Sequence, residues 1–305
     1  MQLHFGIDVI RPEWSSAVVC VGTFDGVHLG HQAVIKTAVM EARTLGLPAI
    51  LVTFDRHPAA ILSPEKCPPS LAGMEQNLLQ IRALGVGITV VMAFDLDFSQ
   101  KSATNFLALL RSSIQATRLV VGHDFAMGCG REGNTTWLQK EIPTTVVPAY
   151  EIASKRVSSS EIRSLIQAGN VEQAAKFLGR PFSIDGVVVE GQKLGRQLGY
   201  PTANLARSIH QILPKDGVYA AFFNGPKGRW KAALSIGTRP AVQGTTRTIE
   251  AYLLDYPGDS LYGLPASLEI YHFLREEQNF PSLEALTEQI SVDVESVRNL
   301  LTSSV

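Results

Sequence analysis

Two histidines three residues apart, His28 and His31, are the strongest candidates for chemistry in the sequence. They lie in the run G-T-F-D-G-V-H-L-G-H, which follows an apolar stretch and opens a helical one. Free amides and the helix dipole make such a loop an anion site, where two imidazoles can steady a pyrophosphate leaving group. A lone histidine is more often a surface or core residue, but this pattern favours polyphosphate chemistry. The other residues of the loop assigned to ATP or phosphate binding are Gly22, Thr23, Phe24, Asp25 and Gly30.

Two later segments fit the same phosphate site. The run G-H-D-F ends a predicted strand, which places Asp124 on the ligand-bearing edge of a sheet. The run V-S-S-S-E-I-R puts Ser158 and Ser159 at a helix start and Arg163 one turn further on. Serines at such a position often only cap the helix. Beside the histidine loop, we interpret the hydroxyls as ligands of phosphate or ribose and the arginine as a ligand of the triphosphate.

A second glycine-rich run, E-G-Q-K-L-G-R-Q-L-G-Y-P-T-A-N, begins at Glu190. Glycines and cations in one loop suit a polyphosphate. Thr202 and Asn204 are two apart, so an extended segment projects both to one face, where their oxygens suit Mg²⁺ beside a nucleotide. A glycine- and proline-rich connection with ordinary turn residues is the alternative. The residues of the loop assigned to phosphate are Gly191, Lys193, Gly195 and Arg196.

Glu250 lies in the run R-T-I-E-A-Y, which predicts a strand. Alternation places its side chain on the same face as Thr248 and Tyr252. A strand carboxylate is most often simply solvated. The functional interpretation is a general base that takes a proton from a substrate hydroxyl.

The first half of the chain predicts a doubly wound α/β domain, in which ligands bind at the carboxyl ends of parallel strands. Short apolar runs alternate there with helical stretches. The predicted strands are Ala17–Val21, Ala49–Phe54, Ile88–Phe94, Arg118–Val121 and Thr144–Val147. The predicted helices are His31–Leu45, Met74–Leu84, Ser102–Ser113, Thr135–Glu141, Ser159–Ala168 and Val171–Leu178.

The chain changes character at Gly179-Arg180-Pro181. Short strands without helices then predict a small antiparallel β-barrel, followed by a helix over Ser282–Leu301 that packs on it. We therefore expect two domains, 1–180 and 181–305. The predicted barrel strands are Ile184–Glu190, Gly217–Asn224, Trp230–Ile236, Thr248–Asp255 and Ser267–Leu274.

Composition argues against several classes of protein. Lys and Arg (27) balance Asp and Glu (28), so no basic excess indicates a nucleic-acid partner. Three widely spaced cysteines and the lack of a leader or an apolar span predict a cytoplasmic protein without a membrane partner. The P-loop pattern is absent from the sequence, and no G-x-G-x-x-G run follows the first predicted strand, where the fingerprint of a dinucleotide-binding domain would lie. The oligomeric state stays open.

The combined motifs resemble those of the bacterial bifunctional riboflavin kinase and FAD synthetase family. They are F-D-G-V-H-L-G-H, G-H-D-F, S-S-S-E-I-R, L-G-R-P, G-x-x-L-G-R-x-L-G-Y-P-T-A-N, L-P-x-x-G-V-Y and L-R-E-E-x-x-F, in order over about residues 17–293. The resemblance implies that the second domain phosphorylates riboflavin to FMN with ATP and Mg²⁺. It implies that the first domain joins FMN to AMP from a second ATP, giving FAD and pyrophosphate.

The resemblance also implies roles for individual residues. His28, His31 and Arg163 would act on the triphosphate, Glu250 would be the base, and Thr202 and Asn204 would hold Mg²⁺. The flavin would contact His57, Pro58, Phe125 and Arg275.

The chain departs from the family pattern at two places in the first domain. It has Arg56 where the pattern has proline, and A-M-G-C over 126–129 where the pattern has R-F-G-K. In the second domain, T-R-P-A-V after Gly237 replaces the usual P-T-F. Two alternatives therefore stay open: a riboflavin kinase whose first domain adenylylates poorly, and a flavin-sensing protein without turnover.

Overall fold

The computed structural model describes the chain except residues 9, 11, 192–198, 209, 242–243 and 304–305. The predicted phosphate ligands Lys193, Gly195 and Arg196 lie outside the described residues. The chain forms two compact units, the first comprising 1–70 and 74–159 and the second 71–73 and 160–305. In the described part of the chain, no helix combines the length and the apolar character needed to cross a membrane.

The first unit is built on a sheet of six parallel strands in the order β1-β4-β3-β2-β5-β8. Its strands are β1 Gln2–Phe5, β2 Ala17–Val21, β3 Ala49–Phe54, β4 Ile88–Met92, β5 Ala116–Gly122, β6 Ala126–Met127, β7 Gly133–Asn134, β8 Thr144–Val147, β9 Glu151–Ile152 and β10 Lys155–Arg156. Its helices are α1 Leu29–Leu45, α2 Ala59–Leu62, α3 Met74–Ala83, α4 Leu96–Ser99, α5 Ala103–Ile114 and α6 Thr135–Glu141.

The sheet is buried on both faces because its strands are apolar at successive positions. In β2, Val19 packs in one core with α5, whereas Val18 and Cys20 pack in the other core with α1. Burial in that core raises the pKa of the Cys20 thiol to about 12, so this cysteine is a core residue. The predicted doubly wound sheet is confirmed, with β1 as an additional edge strand.

The strand order places a topological switch point at β2. The chain leaves β2 toward β3 and β4 on one side, whereas β5 and β8 lie on the other side. Ligands of open α/β sheets bind at such a point, outside the carboxyl ends of the strands. The histidine loop follows β2 and the G-H-D-F run follows β5, which is paired with β2. The fold therefore brings these two motifs to one edge.

The second unit is a closed barrel with the strand order β11-β12-β15-β14-β13-β16 and antiparallel pairing. Its helices are α7 Ser159–Gln167, α8 Val171–Leu178 and α9 Leu283–Leu300. Its strands are β11 Phe182–Val189, β12 Thr202–Arg207, β13 Gly217–Gly225, β14 Gly228–Ala241, β15 Gly244–Leu253 and β16 Pro265–Arg275. The predicted barrel with a terminal helix is confirmed.

Alternation along the strands separates the inside of the barrel from its outside. In β14, Leu234 and Ile236 are fully buried in the interior, whereas Ala233 faces outward and packs near α9. Val297 of α9 and Phe222 of β13 belong to that outer cluster. The terminal helix therefore covers one side of the barrel.

Helices α7 and α8 group with the barrel although they precede its first strand. Helix α8 packs against β11 and β16 and buries Val171, Ala174 and Phe177 completely. The amide of Lys215 donates to the carbonyl of Ile166 at 3.3 Å, which joins α7 to the same unit. The two compact units thus divide at Ser159, and the boundary between the two functional domains expected near 180 stays a prediction.

Candidate active sites

The loop after β2 turns sharply before it enters α1. Phe24 and Val27 have φ angles of 47° and 39°, in the left-handed region. His28 is extended and forms the N-cap of α1, because its Nδ1 accepts a hydrogen bond from the amide of His31 at 3.2 Å. His28 therefore stabilises the turn into α1 by capping the helix.

The two imidazoles stack with their centroids 3.6 Å apart and their planes at 18°. The ring of Phe24 meets His31 edge-on at 5.4 Å. Burial, together with the neighbouring His28, holds the pKa of His31 well below 6.5. His31 is therefore a neutral imidazole at neutral pH in the protein without ligands.

A cavity of about 640 Å³ opens beside this loop and collects residues from three strand ends. Among its lining residues are eight that the sequence predicted: Gly22, Thr23, Phe24, His31, His57, Pro58, Asp124 and Phe125. Of the remaining loop residues, Asp25 contributes its carbonyl, which accepts a hydrogen bond from Ser159 Oγ at 3.3 Å. These eight residues thus share one cavity, whereas the other predicted residues of the site are not among its lining residues: Asp25, His28, Gly30, Ser158, Ser159 and Arg163.

Aromatic side chains that the sequence argument did not select form a wall of this cavity. Phe54, Phe94, Phe98 and Phe106 contact one another, with ring centroids 5.2 to 5.5 Å apart. The hydrophobic pattern of their strands and helices predicts core residues, and only the fold shows that they border a cavity. An apolar wall opposite a phosphate loop suits a planar aromatic ligand.

Two carboxylates of the first unit have hydrogen-bond partners within it: Asp124, which lines the cavity, and Asp55, which directly follows β3. Asp124 accepts a hydrogen bond from Arg156 Nη2 at 2.5 Å, and its carbonyl accepts one from Arg131 at 2.9 Å. Asp55 accepts from the amide of Phe94 at 2.9 Å and from Arg56 at 2.7 Å. Partial burial raises the pKa of Asp55, but the hydrogen bonds from Arg56 and Phe94 outweigh it and lower the pKa overall. The unusual Arg56 therefore pairs with the carboxylate that ties β3 to β4.

In the barrel, Thr202, Asn204 and Glu250 come together on adjacent strands. Asn204 and Glu250 are opposite each other in the β12–β15 register, and Thr202 Oγ1 donates to Glu250 Oε2 at 3.3 Å. Gly191 lies directly against the amide of Asn204, where a Cβ atom would be only 2.6 Å from Oδ1. This glycine is needed for close approach. The hydroxyl of Thr202 and the amide oxygen of Asn204 are suitable donors for a hard cation, and the Glu250 carboxylate lies beside them.

A second cavity of about 560 Å³ borders this group. Thr202 and Tyr252 line it together with the loop 255–262, but Asn204 and Glu250 are not among its lining residues. The sequence argument did not select this loop. Asp255 at its start is held by Arg298 of α9, with distances of 2.7 and 3.1 Å, and this hydrogen bonding lowers the pKa of Asp255.

The remaining predicted residues lie in the second unit or at its start. Arg275 forms a bidentate pair with the buried Asp293 at distances of 2.7 to 3.1 Å and donates to the carbonyl of Glu276. Its flavin contact therefore stays a prediction.

Arg163 lies on α7, which contains Ser159 as its first residue, and Ser158 directly precedes that helix.

The first unit has the parallel sheet and the histidine loop of a nucleotidyltransferase domain. In the second unit, a β-barrel carries a site with the Glu250 carboxylate and the Asn204 amide. Two family models match the chain, FAD synthetase over residues 10–161 and riboflavin kinase over residues 178–301. A bifunctional riboflavin kinase/FMN adenylyltransferase of Pseudomonas fluorescens is 36% identical over 311 residues, covering 100% of this chain and 99% of that protein. The Bacillus subtilis protein of the same name is 34% identical, covering 93% and 92%. The chain belongs to the bifunctional riboflavin kinase/FMN adenylyltransferase family.

Among solved structures, one from Streptococcus pneumoniae, titled a macrolide-efflux protein, superposes with a TM-score of 0.91. It is 28% identical and covers 98% of this chain and 99% of that chain. The similarity extends over both units of the fold.

Proposed function

We propose that this enzyme phosphorylates riboflavin to FMN with residues 181–305 and adenylylates FMN to FAD with residues 1–180. The observation that carries the proposal is a separate set of phosphate-handling side chains in each compact unit. Full-length relatives named for both activities support it, as does the match of one family model to each part of the chain.

In the adenylylation reaction, a phosphate oxygen of FMN attacks the α-phosphorus of ATP, and the bond to the β-phosphate oxygen breaks. His28 and His31 donate hydrogen bonds to the leaving pyrophosphate, where charge develops. The phosphate of ATP favours protonation of the buried His31, opposing the effect of burial on its pKa. The flavin stacks in the aromatic part of the 640 Å³ cavity, near His57, Pro58 and Phe125. Asp124, Ser158 and Ser159 contribute to holding the nucleotide, and the role of Arg163 on α7 stays a prediction from the sequence.

In the kinase reaction, the 5′-hydroxyl oxygen of riboflavin attacks the γ-phosphorus of ATP, and ADP leaves. Glu250 accepts the proton of that hydroxyl as general base. Thr202 Oγ1 donates to the Glu250 carboxylate at 3.3 Å and so orients it. Both reactions are in-line displacements, in which positioning and charge neutralisation provide most of the catalysis.

The hydroxyl oxygen of Thr202 and the amide oxygen of Asn204 would hold a magnesium ion, since both are hard oxygen donors, while Glu250 acts as the base. When bound with ATP, the ion neutralises charge on the phosphates. Gly191 allows the Asn204 amide to pack against the backbone, which fixes one donor in place. We further propose a cytoplasmic enzyme whose partners are its small-molecule substrates.

Flavin chromatography tests the proposal. Purified protein is incubated with riboflavin, ATP and Mg²⁺, and samples are separated over time. The expected result is formation of FMN followed by FAD. FMN alone would favour a kinase with an inactive first unit, and unchanged riboflavin would favour a flavin-sensing protein.

A further inference from the structure

The outer face of the barrel extends past Glu250 to residues that have no role in the proposed mechanism. Asn204 and Ser235 are the register partners of Glu250 on the two neighbouring strands, so all three side chains point to one face. Two residues further along β14 is Gly237, paired with Thr248 of β15. Position 237 therefore belongs to the same face, but it carries no side chain.

The carboxylate of Glu277 fills the space over Gly237. A Cβ atom at position 237 would overlap Glu277 Oε1 and lie 2.5 Å from Cδ. Gly237 is consequently buried, although it is on the outer face. Glu277 itself is exposed, two residues after the end of β16. The segment after β16 thus brings a second carboxylate onto the face of the proposed base.

Glu277 has no hydrogen bond or ion pair to any residue that the structure describes. The adjacent Glu276 differs, because its carboxylate pairs with Lys215 and that hydrogen bond lowers its pKa. A carboxylate accepts several hydrogen bonds and is a strong partner for hydroxyl groups. Glu277 therefore has its full acceptor capacity available to a ligand on this face.

The offset between the strand positions next to the two carboxylates suits a polyol. Two residues along a strand span about 7 Å, which is the offset between Ser235, opposite Glu250, and Gly237. Riboflavin carries hydroxyls on neighbouring carbons of its ribityl chain, ending in the 5′-hydroxyl that is phosphorylated. With the terminal hydroxyl on Glu250, an inner hydroxyl comes within reach of Glu277.

We propose that Glu277 is a specificity-determining residue that accepts a hydrogen bond from an inner ribityl hydroxyl of riboflavin. This inference rests on the proposed kinase function. Glu277 acts in binding and in the choice of substrate, whereas proton transfer belongs to Glu250. Gly237 is required because any side chain there displaces the carboxylate.

Binding of riboflavin and of lumiflavin, which lacks the ribityl chain, tests this role. Both affinities are measured by flavin fluorescence without ATP, so the result does not depend on turnover. Glu277→Met keeps the side-chain length but removes both oxygens, and it should weaken riboflavin binding about 10- to 100-fold. Lumiflavin binding should stay within twofold. Glu277→Gln, which keeps one acceptor, should recover part of the loss, and Glu276→Met is the matched control with no effect on either ligand.

Three results would overturn the proposal. They are unchanged riboflavin binding in Glu277→Met, an equal loss for both flavins, and no recovery in Glu277→Gln. An equal loss would mean that Glu277 only holds its segment on Gly237. In a double-mutant cycle, Gly237→Ala should weaken riboflavin binding on its own and add little to Glu277→Met, because both remove the same contact. If the unmodified protein binds riboflavin but does not phosphorylate it, the proposed function fails while this test still stands.

Discussion

The imidazole of His31 is buried beneath the phosphate loop, next to His28, and its pKa lies well below 6.5. Above pH 6.5 the side chain is neutral in both the folded and the unfolded chain. Below pH 6.5 the unfolded chain binds a proton that the folded chain does not bind. The contribution of His31 to stability is therefore lost as the pH falls from 6.5 toward the lower folded pKa.

We predict that the first unit loses stability between pH 6.5 and 5.5, by up to about 1.4 kcal/mol per pH unit from His31. His31→Asn should flatten this dependence, whereas the exposed His123→Asn should leave it unchanged. The measurement is denaturant unfolding followed by the fluorescence of Trp14 and Trp137 in a Trp230→Phe background. An equal pH dependence in His31→Asn and the unmodified protein would contradict the assignment.

The role of Arg275 shows the limit of sequence reasoning at this scale. Its position in the motif predicts flavin binding, but its guanidinium is held by the buried Asp293. The aspartate lies 18 residues away on α9, where the amphipathic pattern predicts a helix packed on the barrel but does not predict which polar side chain pairs with Arg275. Glu277 is a similar case, because its position over Gly237 depends on how the segment after β16 folds back. The spacing of residues in the sequence predicts which side chains share a face of one helix or strand far better than it predicts contacts between elements.

Among the elements, helix α9 connects the outer barrel face to the loop that lines the second cavity. Arg298 pairs with Asp255 at 2.7 Å, while Lys231 donates to the carbonyl of Arg298 at 3.2 Å near the helix end. Both groups of the ion pair are largely exposed, so its effect on global stability should be small. Its effect on the position of the loop 255–262 should be larger, because Asp255 begins that loop.

We predict that Arg298→Ala raises the KM of a kinase substrate about two- to fivefold, a modest effect as expected of an exposed pair, and leaves kcat near its normal value. Arg229→Ala is the matched control, since it removes a comparable surface pair with Glu269 whose residues do not line the cavity. Steady-state kinetics with riboflavin and with ATP give both constants. Unchanged KM values for both substrates would show that the pair does not position the loop.

Most helices and strands can be predicted from the sequence because their apolar residues recur with helical spacing or form continuous apolar runs. Strand β12 is an instructive exception. It contains Thr202 and Asn204. The run P-T-A-N ends a glycine-rich loop, so the sequence predicts a short extended segment there but not a full barrel strand. Strand β1 is four residues long with exposed side chains, so it carries almost no periodic signal. These strands depend on pairing with neighbours that are distant in the sequence.

At the scale of the whole chain, the two compact units do not divide where the composition changes. The proline at 181 marks the change to short strands, but α8 buries Val171, Ala174 and Phe177 within the barrel unit. Local sequence indicates where helices stop, whereas the packing partner of a helix depends on its apolar face and on the fold. The sequence predicts helix α8 but not the surface on which it packs.

We predict that a fragment over 160–305 phosphorylates riboflavin and unfolds at a higher temperature than a fragment over 181–305. The shorter fragment exposes the barrel surface that α8 covers, at about 25 cal/mol per Å² of apolar area. Thermal unfolding followed by circular dichroism, with FMN formation measured in parallel, compares the two. Equal melting temperatures would mean that α7 and α8 contribute nothing to the barrel unit.

One chain is expected to perform two reactions at two independent sites. Glu250→Gln keeps the size of the side chain but removes the base, so kcat for FMN formation should fall about 10²- to 10⁴-fold. His28→Ala combined with His31→Ala removes the donors to pyrophosphate, so FAD formation should fall at least about 10²- to 10³-fold.

The most direct measurement assays both variants with riboflavin and, separately, with FMN, with ATP and Mg²⁺ present throughout. We expect Glu250→Gln to convert FMN to FAD at the normal rate while making almost no FMN from riboflavin. We expect the double histidine variant to make FMN normally and almost no FAD. Loss of both activities in either correctly folded variant, or loss of neither, would contradict the account.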